Sequence, residues 1–265
     1  MTGSGKVAIV VSCRRGSSRL PNKALKQIHG ISSIERCLIN CKAATKPDFI
    51  VLATTKNQED RVLKNIADSN QVKFFQGAEQ DVLTRYIEAA HTYQIQTIAR
   101  VTGDSPVVSY ELIDNLVDEH LSNQAEYTYV ENSAIGIASE VMDVAAMERL
   151  KQLTSTSMSE YMTYYFKWNP TYVRIHQAKL PVEMRHPDIR ITLDEEDDLI
   201  LLNKIFRFYN KGREAISWGE IEQYFRRFPE DKKLNNFIKL TFLENQQLIN
   251  RIKSACIIKK NSSGE

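Results

Sequence analysis

Long apolar runs are missing from these 265 residues: none approaches the roughly 18 consecutive apolar positions of a membrane span. A membrane-spanning helix is therefore not expected. Charge of one sign is missing too. The 35 basic and 33 acidic side chains leave a net charge of +2, whereas nucleic-acid binders carry a strongly basic domain, so any anion site has to be local. Cysteine is scarce: Cys13, Cys37, Cys41 and Cys256 form no paired C-x-x-C modules and no Cys/His zinc spacing. Cys37 and Cys41, four apart on an expected helix, could share a metal; the plainer reading is buried thiols in a reducing cytosol. The N-terminal "MTGSGKVAIVV" enters a strand-like segment too soon for a signal peptide. The expectation is a soluble cytoplasmic protein with neither nucleic acid nor membrane among its partners.

What is present argues for a folded α/β protein. Apolar, β-branched runs at "VAIVV" (7–11), "FIVLAT" (49–54), "VKFF" (72–75) and "TIARV" (97–101) alternate with helix-period segments, the rhythm of a mostly parallel sheet covered on both faces. Ser32 with Glu35 predicts a capped helix start, a second helix runs from about Gln58 to Ser69, and Asp81 caps a third. From Glu126 onward "EYTYV", "TYVRIHQA" (171–178) and "DIRITLD" (188–194) read as strands. Asp143 to Leu150 reads as a helix, "SMSEYMTYYFKW" as an aromatic helix capped by Ser157 and Glu160, and Asp194 as the cap of "EEDDLILLNKIFRFY". A second S-x-x-E box opens "SWGEIEQYF", and the tail after 235 has helical periodicity without a chemical motif. The chain is expected to be one α/β domain over 1–235 with a C-terminal helical extension over 236–265.

Three stretches carry candidate chemistry. "SCRRGSSRLPNKAL" (12–25) follows the first strand, where open α/β sheets place ligands. Its Gly and Ser can turn N–H groups towards an anion, and Arg14, Arg15, Arg19 and Lys23 can neutralise phosphate oxygens. It matches neither a P-loop nor G-x-G-x-x-G, and a basic surface turn is the plainer alternative. "VTGDSP" (101–106) puts Asp104 at the same sheet edge, with Gly103 permitting close backbone approach. A carboxylate beside a polyphosphate calls for a cation between them, and Mg²⁺ suits one or two carboxylates plus phosphate oxygens; a turn or cap Asp is the alternative. In "RITLDEEDD" Asp194 stands at a strand end, where N-capping is its plainer role.

These residues also resemble a family. "SCRRGSSRLPNKAL" is similar to the A-R-x-x-S-x-R-L-P-x-K signature of the cytidylyltransferases that make CMP-linked acidic sugars, the CMP-Kdo and CMP-sialic acid synthetases. "GAEQDVLTRYIEAA", "RVTGDSPVVSYELID", "SEVMDVAAME", "SEYMTYYFKWNP" and "RITLDEEDDLILL" resemble, in order, its spore coat polysaccharide biosynthesis branch. The likeness runs from about Val7 to Asn235.

The resemblance implies a Rossmann-like three-layer α/β/α nucleotidyltransferase fold and transfer of CMP from CTP to an acidic sugar's hydroxyl, with release of pyrophosphate. It implies Mg²⁺ on Asp104 and Asp194, and Lys23, Arg14 and Asp104 as catalytic candidates. Ser12, Cys13, Arg14, Gly16, Ser17, Arg19, Lys23, Arg85, Thr102 and Gly103 are the nucleotide-binding candidates, with Glu140 and Arg190 on the acceptor side. Family members are often homodimers. The acceptor half departs from the branch: "SEY" (159–161) replaces its usual Arg-Glu-His, and Ala138 stands where it often has Asp. Two rivals stay open, a sugar-phosphate nucleotidyltransferase using another NTP and a non-catalytic nucleotide-binding protein.

Overall fold

"VAIVV" is apolar at every position, and both of its faces are buried. In the computed structural model, which describes residues 5–16, 19–238 and 245–259, β1 (Lys6–Ser12) sends Val7, Ile9 and Val11 into one hydrophobic core and Ala8 and Val10 into a second on the opposite face. This is the pattern of a central strand. A small hairpin follows, β2 (Gln27–Ile28) with β3 (Ile31–Ser32), then β4 (Phe49–Thr55), β5 (Lys73–Gly77), β6 (Ile95–Thr102), β7 (Tyr127–Tyr129), β8 (Glu140–Asp143) and β9 (Ile175–Gln177). The main sheet has seven strands in the order β5-β4-β1-β6-β8-β7-β9, and β8 alone runs antiparallel to its neighbours. The expected mostly parallel sheet is borne out.

Helices cover both faces. On the first core lie α1 (Ser33–Lys42), α2 (Val62–Ser69), α4 (Tyr110–Ser122), α7 (Glu196–Phe208) and α8 (Trp218–Arg227); on the second lie α3 (Val82–Tyr93), α5 (Val144–Leu153), α6 (Met162–Lys167) and α9 (Gln246–Cys256). The caps read from the sequence hold at several starts: Ser32 accepts from Glu35 N–H, Asp81 from Thr84 N–H, and Ser217 forms a reciprocal box with Glu220. In the tail, α9 buries Ile252, Ala255 and Cys256, and the Asn169 amide bonds Cys256 O at 2.8 Å and Ile258 N–H at 2.9 Å.

Three expectations need correction. The aromatic segment is not one helix: a 3-10 turn (Thr156–Tyr161) precedes α6, Ser155 rather than Ser157 is the cap, and Met158 has non-helical φ −123° and ψ 26°. The Ser159 hydroxyl is diverted to the start of α3, where it accepts from Val82 N–H at 2.8 Å. "TYVRIHQA" shrinks to the three residues of β9. "DIRITLD" is no strand, having a single bridge between Ile135 and Arg190. Ile189 O and Ile191 N–H pair with Ile135, and the end of the segment turns to the loop after β6: Leu193 N–H and Thr192 Oγ1 both donate to Asp104 O, at 2.8 and 2.9 Å. That tie joins the two loops bearing Asp104 and Asp194.

Gly136 lies against the same segment at φ +104°, where a Cβ would stand 2.6 Å from Thr192 N and 2.8 Å from the Ile191 carbonyl carbon. Backbone cannot yield as a side-chain tip does. Gly136→Ala should cost about 2–4 kcal/mol, read as a lower midpoint in urea unfolding.

Candidate active site

The sheet order positions the site. From β1 the chain moves outward to β4 and β5, then returns to β6 on the other side of β1, so the loops after β1 and β6 diverge at a topological switch point. They are stitched together there. Gly103 N–H donates to Ser12 O at 2.9 Å, and a Cβ on Gly103 would stand 2.7 Å from Cys13 Cβ, so only glycine permits this approach.

Several groups fix the loop after β1. Cys13 N–H donates to Ala53 O at 3.0 Å. Arg15, one of the four loop cations, serves as an anchor: its N–H donates to Asp60 Oδ1 at 2.7 Å and its guanidinium holds Asn22 Oδ1 and Glu59 O. Asn22 sits in the left-handed region at φ 54°, Leu20 and Ala24 are buried, and a single 3-10 turn (Lys23–Leu25) presents the lysine. Lys23 Nζ then lies 2.6 Å from Asp104 Oδ2 and 2.8 Å from Asp194 Oδ1.

Asp194 is held from behind. Arg190 is buried, meets Asp198 through Nε at 2.9 Å and Nη2 at 3.0 Å, and donates from Nη2 to Asp194 Oδ2 at 3.0 Å. Asp198 also accepts the N–H groups of Asp194 and Glu195, at 2.8 and 3.0 Å. Glu195, not Asp194, is the N-cap of α7, in a reciprocal box with Asp198. The plainer role for Asp194 is thus taken by its neighbour, which leaves Asp194 facing Lys23. From the front, Arg19 reaches Asp194 at 3.1 Å and Glu195 at 3.3 Å.

Burial raises the Asp194 carboxyl, but Lys23, Arg19 and Arg190 outweigh it and hold the group below the ordinary carboxylate range. Burial lowers Lys23, and the two aspartates more than reverse that. A depressed carboxyl contributes stability above its unfolded value and loses it as pH falls through the folded one. A raised lysine loses its contribution only in alkali, beyond the ordinary lysine range. Urea unfolding from about pH 7 to about pH 2 should show wild type more stable than Asp194→Asn at neutrality and the two converging in acid below the ordinary carboxylate range.

A cleft of about 310 Å³ opens above this cluster, lined by Ser12, Cys13, Arg14, Gly16, Arg19, Lys23, Arg85, Arg100, Thr102, Gly103, Asp104 and Glu160, among others. Arg14 is exposed at the cleft, while Cys13 is a buried thiol pushed up to about 12, chiefly by burial. Arg85 donates to Ser12 Oγ and Ala78 O, and its buried Nε has no hydrogen-bond partner among the described residues. Ser17 lies outside the described residues.

Arg100 and Thr102 continue into a second hollow of about 210 Å³. Glu140 sits in it, accepting from Arg100 at 2.6 Å, Thr163 at 2.8 Å and the Tyr127 hydroxyl. Of the acceptor-side candidates, Glu140 is in this hollow, whereas Arg190 lies beneath Asp194 and lines neither space. Arg100 and Thr163 escaped the sequence reading, which took Glu160 only as a helix cap; a lone cation in "TIARV" was the available signal for Arg100. Where "SEY" departs from the branch, Ser159 accepts from Val82 N–H at the start of α3, and Glu160, the acid it shares with the branch, lines the cleft.

Chemically, the cleft offers cations for a polyanion and two carboxylates converging on one positive charge. Among the described residues no group of three or more His, Cys, Asp and Glu could hold a metal. A hard cation at Asp104 and Asp194 would need further oxygens from a ligand or water, which suits Mg²⁺. No helix among the described residues is long and apolar enough to cross a membrane.

Comparison with known proteins gives the chain a family. The cytidylyltransferase family model matches residues 8–227. An uncharacterized protein of Methanocaldococcus jannaschii is 31% identical over 238 residues, covering 88% of this chain and 96% of that protein. The spore coat polysaccharide biosynthesis protein SpsF of Bacillus subtilis is 25% identical over 232 residues, 84% of this chain and 95% of its own. A solved cytidylyltransferase structure from Leptospira borgpetersenii superposes with a TM-score of 0.81 at 26% identity, over 89% of this chain and 100% of that one. The likeness thus takes in the loop after β1, the loop after β6 and the Asp194 segment together, and this chain belongs to the cytidylyltransferase family.

Proposed function

We propose that this protein transfers CMP from CTP to a hydroxyl of an acidic sugar, releasing pyrophosphate and supplying an activated sugar for surface polysaccharide or glycan synthesis. One observation carries the reading: Lys23 stands between Asp104 and Asp194 at the floor of a cation-lined cleft at the sheet's switch point. Arg14, Arg19 and Lys23 would bind the triphosphate, and Arg85, which lines the same cleft, would help hold the nucleotide. The acceptor would lie towards the hollow that holds Glu140. Its hydroxyl oxygen bonds to the α-phosphorus, the bond from that phosphorus to the bridging oxygen breaks, and pyrophosphate leaves with the electron pair while the hydroxyl proton passes to solvent. Such transfer depends on positioning and charge neutralisation, which Lys23 and the arginines provide on the leaving side. Asp104 and Asp194 would hold Mg²⁺, which neutralises phosphate charge and polarises the α-phosphate when bound. The similarity to a polysaccharide biosynthesis protein of B. subtilis supports the sugar acceptor. A cytoplasmic homodimer belongs to the same reading, and light scattering checks the dimer.

Pyrophosphate release with each of the four NTPs and a panel of acidic and neutral sugars tests this reading. CTP should be preferred by about 10²-fold or more in kcat/KM. Equal turnover of UTP or GTP would make the protein a nucleotidyltransferase of different base preference.

A further inference from the structure

The two carboxylates that would hold Mg²⁺ are already occupied by the protein's own cations. Asp194 Oδ1 receives Lys23 at 2.8 Å and Arg19 at 3.1 Å, its Oδ2 receives Arg190 at 3.0 Å, and Asp104 Oδ2 receives Lys23 at 2.6 Å. A divalent ion arriving alone would have to share Asp104 and Asp194 with an ammonium and two guanidiniums, a strongly repulsive set. Among the three, Arg190 is locked by two hydrogen bonds to Asp198 in a buried position. Arg19 touches only Asp194 of the pair. Lys23 is the one cation bound to both carboxylates, and its side chain is 19% exposed beside the cleft. A lysine is a compact charge on a flexible stem, so its ammonium can turn from the aspartates towards a ligand without movement of the turn that carries it.

We propose that Lys23 is a built-in placeholder cation: in the nucleotide-free protein it fills the position between Asp104 and Asp194 and keeps divalent ions out, and the phosphates of the nucleotide draw it away. Cation and nucleotide therefore bind interdependently, each raising the affinity of the other by the same factor. The triphosphate supplies at once a new partner for Lys23 and the extra oxygens that the two aspartates lack. The free cluster remains close to charge balance, with Arg19, Lys23 and Arg190 facing Asp104, Asp194, Asp198 and Glu195. This inference rests on the proposed placement of phosphate and Mg²⁺ at the site.

The test is Mn²⁺ binding to the full-length, nucleotide-free chain, followed by loss of the free-ion electron paramagnetic resonance signal. Wild type should show no Mn²⁺ site that depends on Asp104 up to the highest Mn²⁺ concentration titrated, and Lys23→Met should gain one whose affinity is at least about tenfold tighter than that limit. Lys23→Met combined with Asp104→Asn should lose that gain. Two results would overturn the placeholder: a Mn²⁺ site in wild type that Asp104→Asn removes, or no gain in folded Lys23→Met. The first comparison needs only wild type and Asp104→Asn, so it stands even if Lys23→Met fails to fold. Failure of CTP turnover would instead count against the transferase reading, because the Mn²⁺ titration involves neither nucleotide nor catalysis.

Discussion

Asp104→Asn should lower pyrophosphate release from CTP by about 10²–10³-fold while leaving nucleotide binding within about tenfold of wild type. The asymmetry follows from how Asp104 is held. Its backbone oxygen accepts from Leu193 N–H and Thr192 Oγ1, and Asn keeps that oxygen and nearly the same side-chain volume. The tie between the two loops therefore survives. What disappears is a charge aimed at Lys23, and with it half of the carboxylate pair assigned to Mg²⁺. The proposed triphosphate contacts of Arg14, Arg19 and Lys23 are left in place, as is Arg85 at the cleft. Equilibrium binding of CTP and single-turnover rates separate the two effects, and a melting temperature close to wild type shows that the loss is chemical. Unchanged turnover would refute the role of Asp104.

Asp198→Ala should cost about 3–5 kcal/mol in urea unfolding, as expected when one member of a buried ion pair is removed. Asp198 is fully buried, and its two oxygens accept from Arg190 Nε and Nη2, from Asn235 Nδ2, and from the N–H groups of Asp194 and Glu195. Alanine would leave Arg190 buried with Asp194 as its one remaining carboxylate and two N–H groups without their acceptor. Because those N–H groups set the backbone of Asp194, turnover should fall along with stability. A surface acid at the start of a helix would instead cost a few tenths of a kcal/mol through the helix dipole. The size of the change thus distinguishes a buried organiser from a solvated helix start.

Asp198 also marks a limit of sequence reading. In "DEEDD" every acid suits the first turn of a helix, and nothing local distinguishes the one that turns inward to Arg190. The neighbouring "DIRITLD" has the alternation of a strand, yet its hydrogen bonds are divided between Ile135 and the loop after β6, the bond from Thr192 to Asp104 spanning 88 residues. Long-range choices of that kind leave no periodicity. Local chemistry was far more legible. The apolar runs of β1, β4, β5 and β6, the caps at Ser32, Asp81 and Ser217, and the cationic loop after β1 could each be read from neighbouring residues. The acceptor side was harder. Glu140 meets Arg100 through the antiparallel register of β8 on β6 and meets Thr163 from α6, contacts that no single segment announces.

The loop "SCRRGSSRLPNKAL" divides its cations by task. Arg15 pins the loop to Asn22, Glu59 and Asp60, Arg19 and Lys23 engage the carboxylates, and Arg14 stands exposed at the cleft. A purely solvated turn would not bring Lys23 onto two acids from loops 81 and 171 residues away.

The central claim is transfer of CMP itself, and the fate of the α-phosphate tests it most directly. CTP labelled at the α-phosphorus is incubated with Mg²⁺ and a panel of acidic and neutral sugars, and the products are identified by mass spectrometry. The predicted result is label in a CMP-sugar ester, formed one for one with unlabelled pyrophosphate and absent with Asp104→Asn. Label recovered only in CTP or free CMP with every acceptor would contradict it.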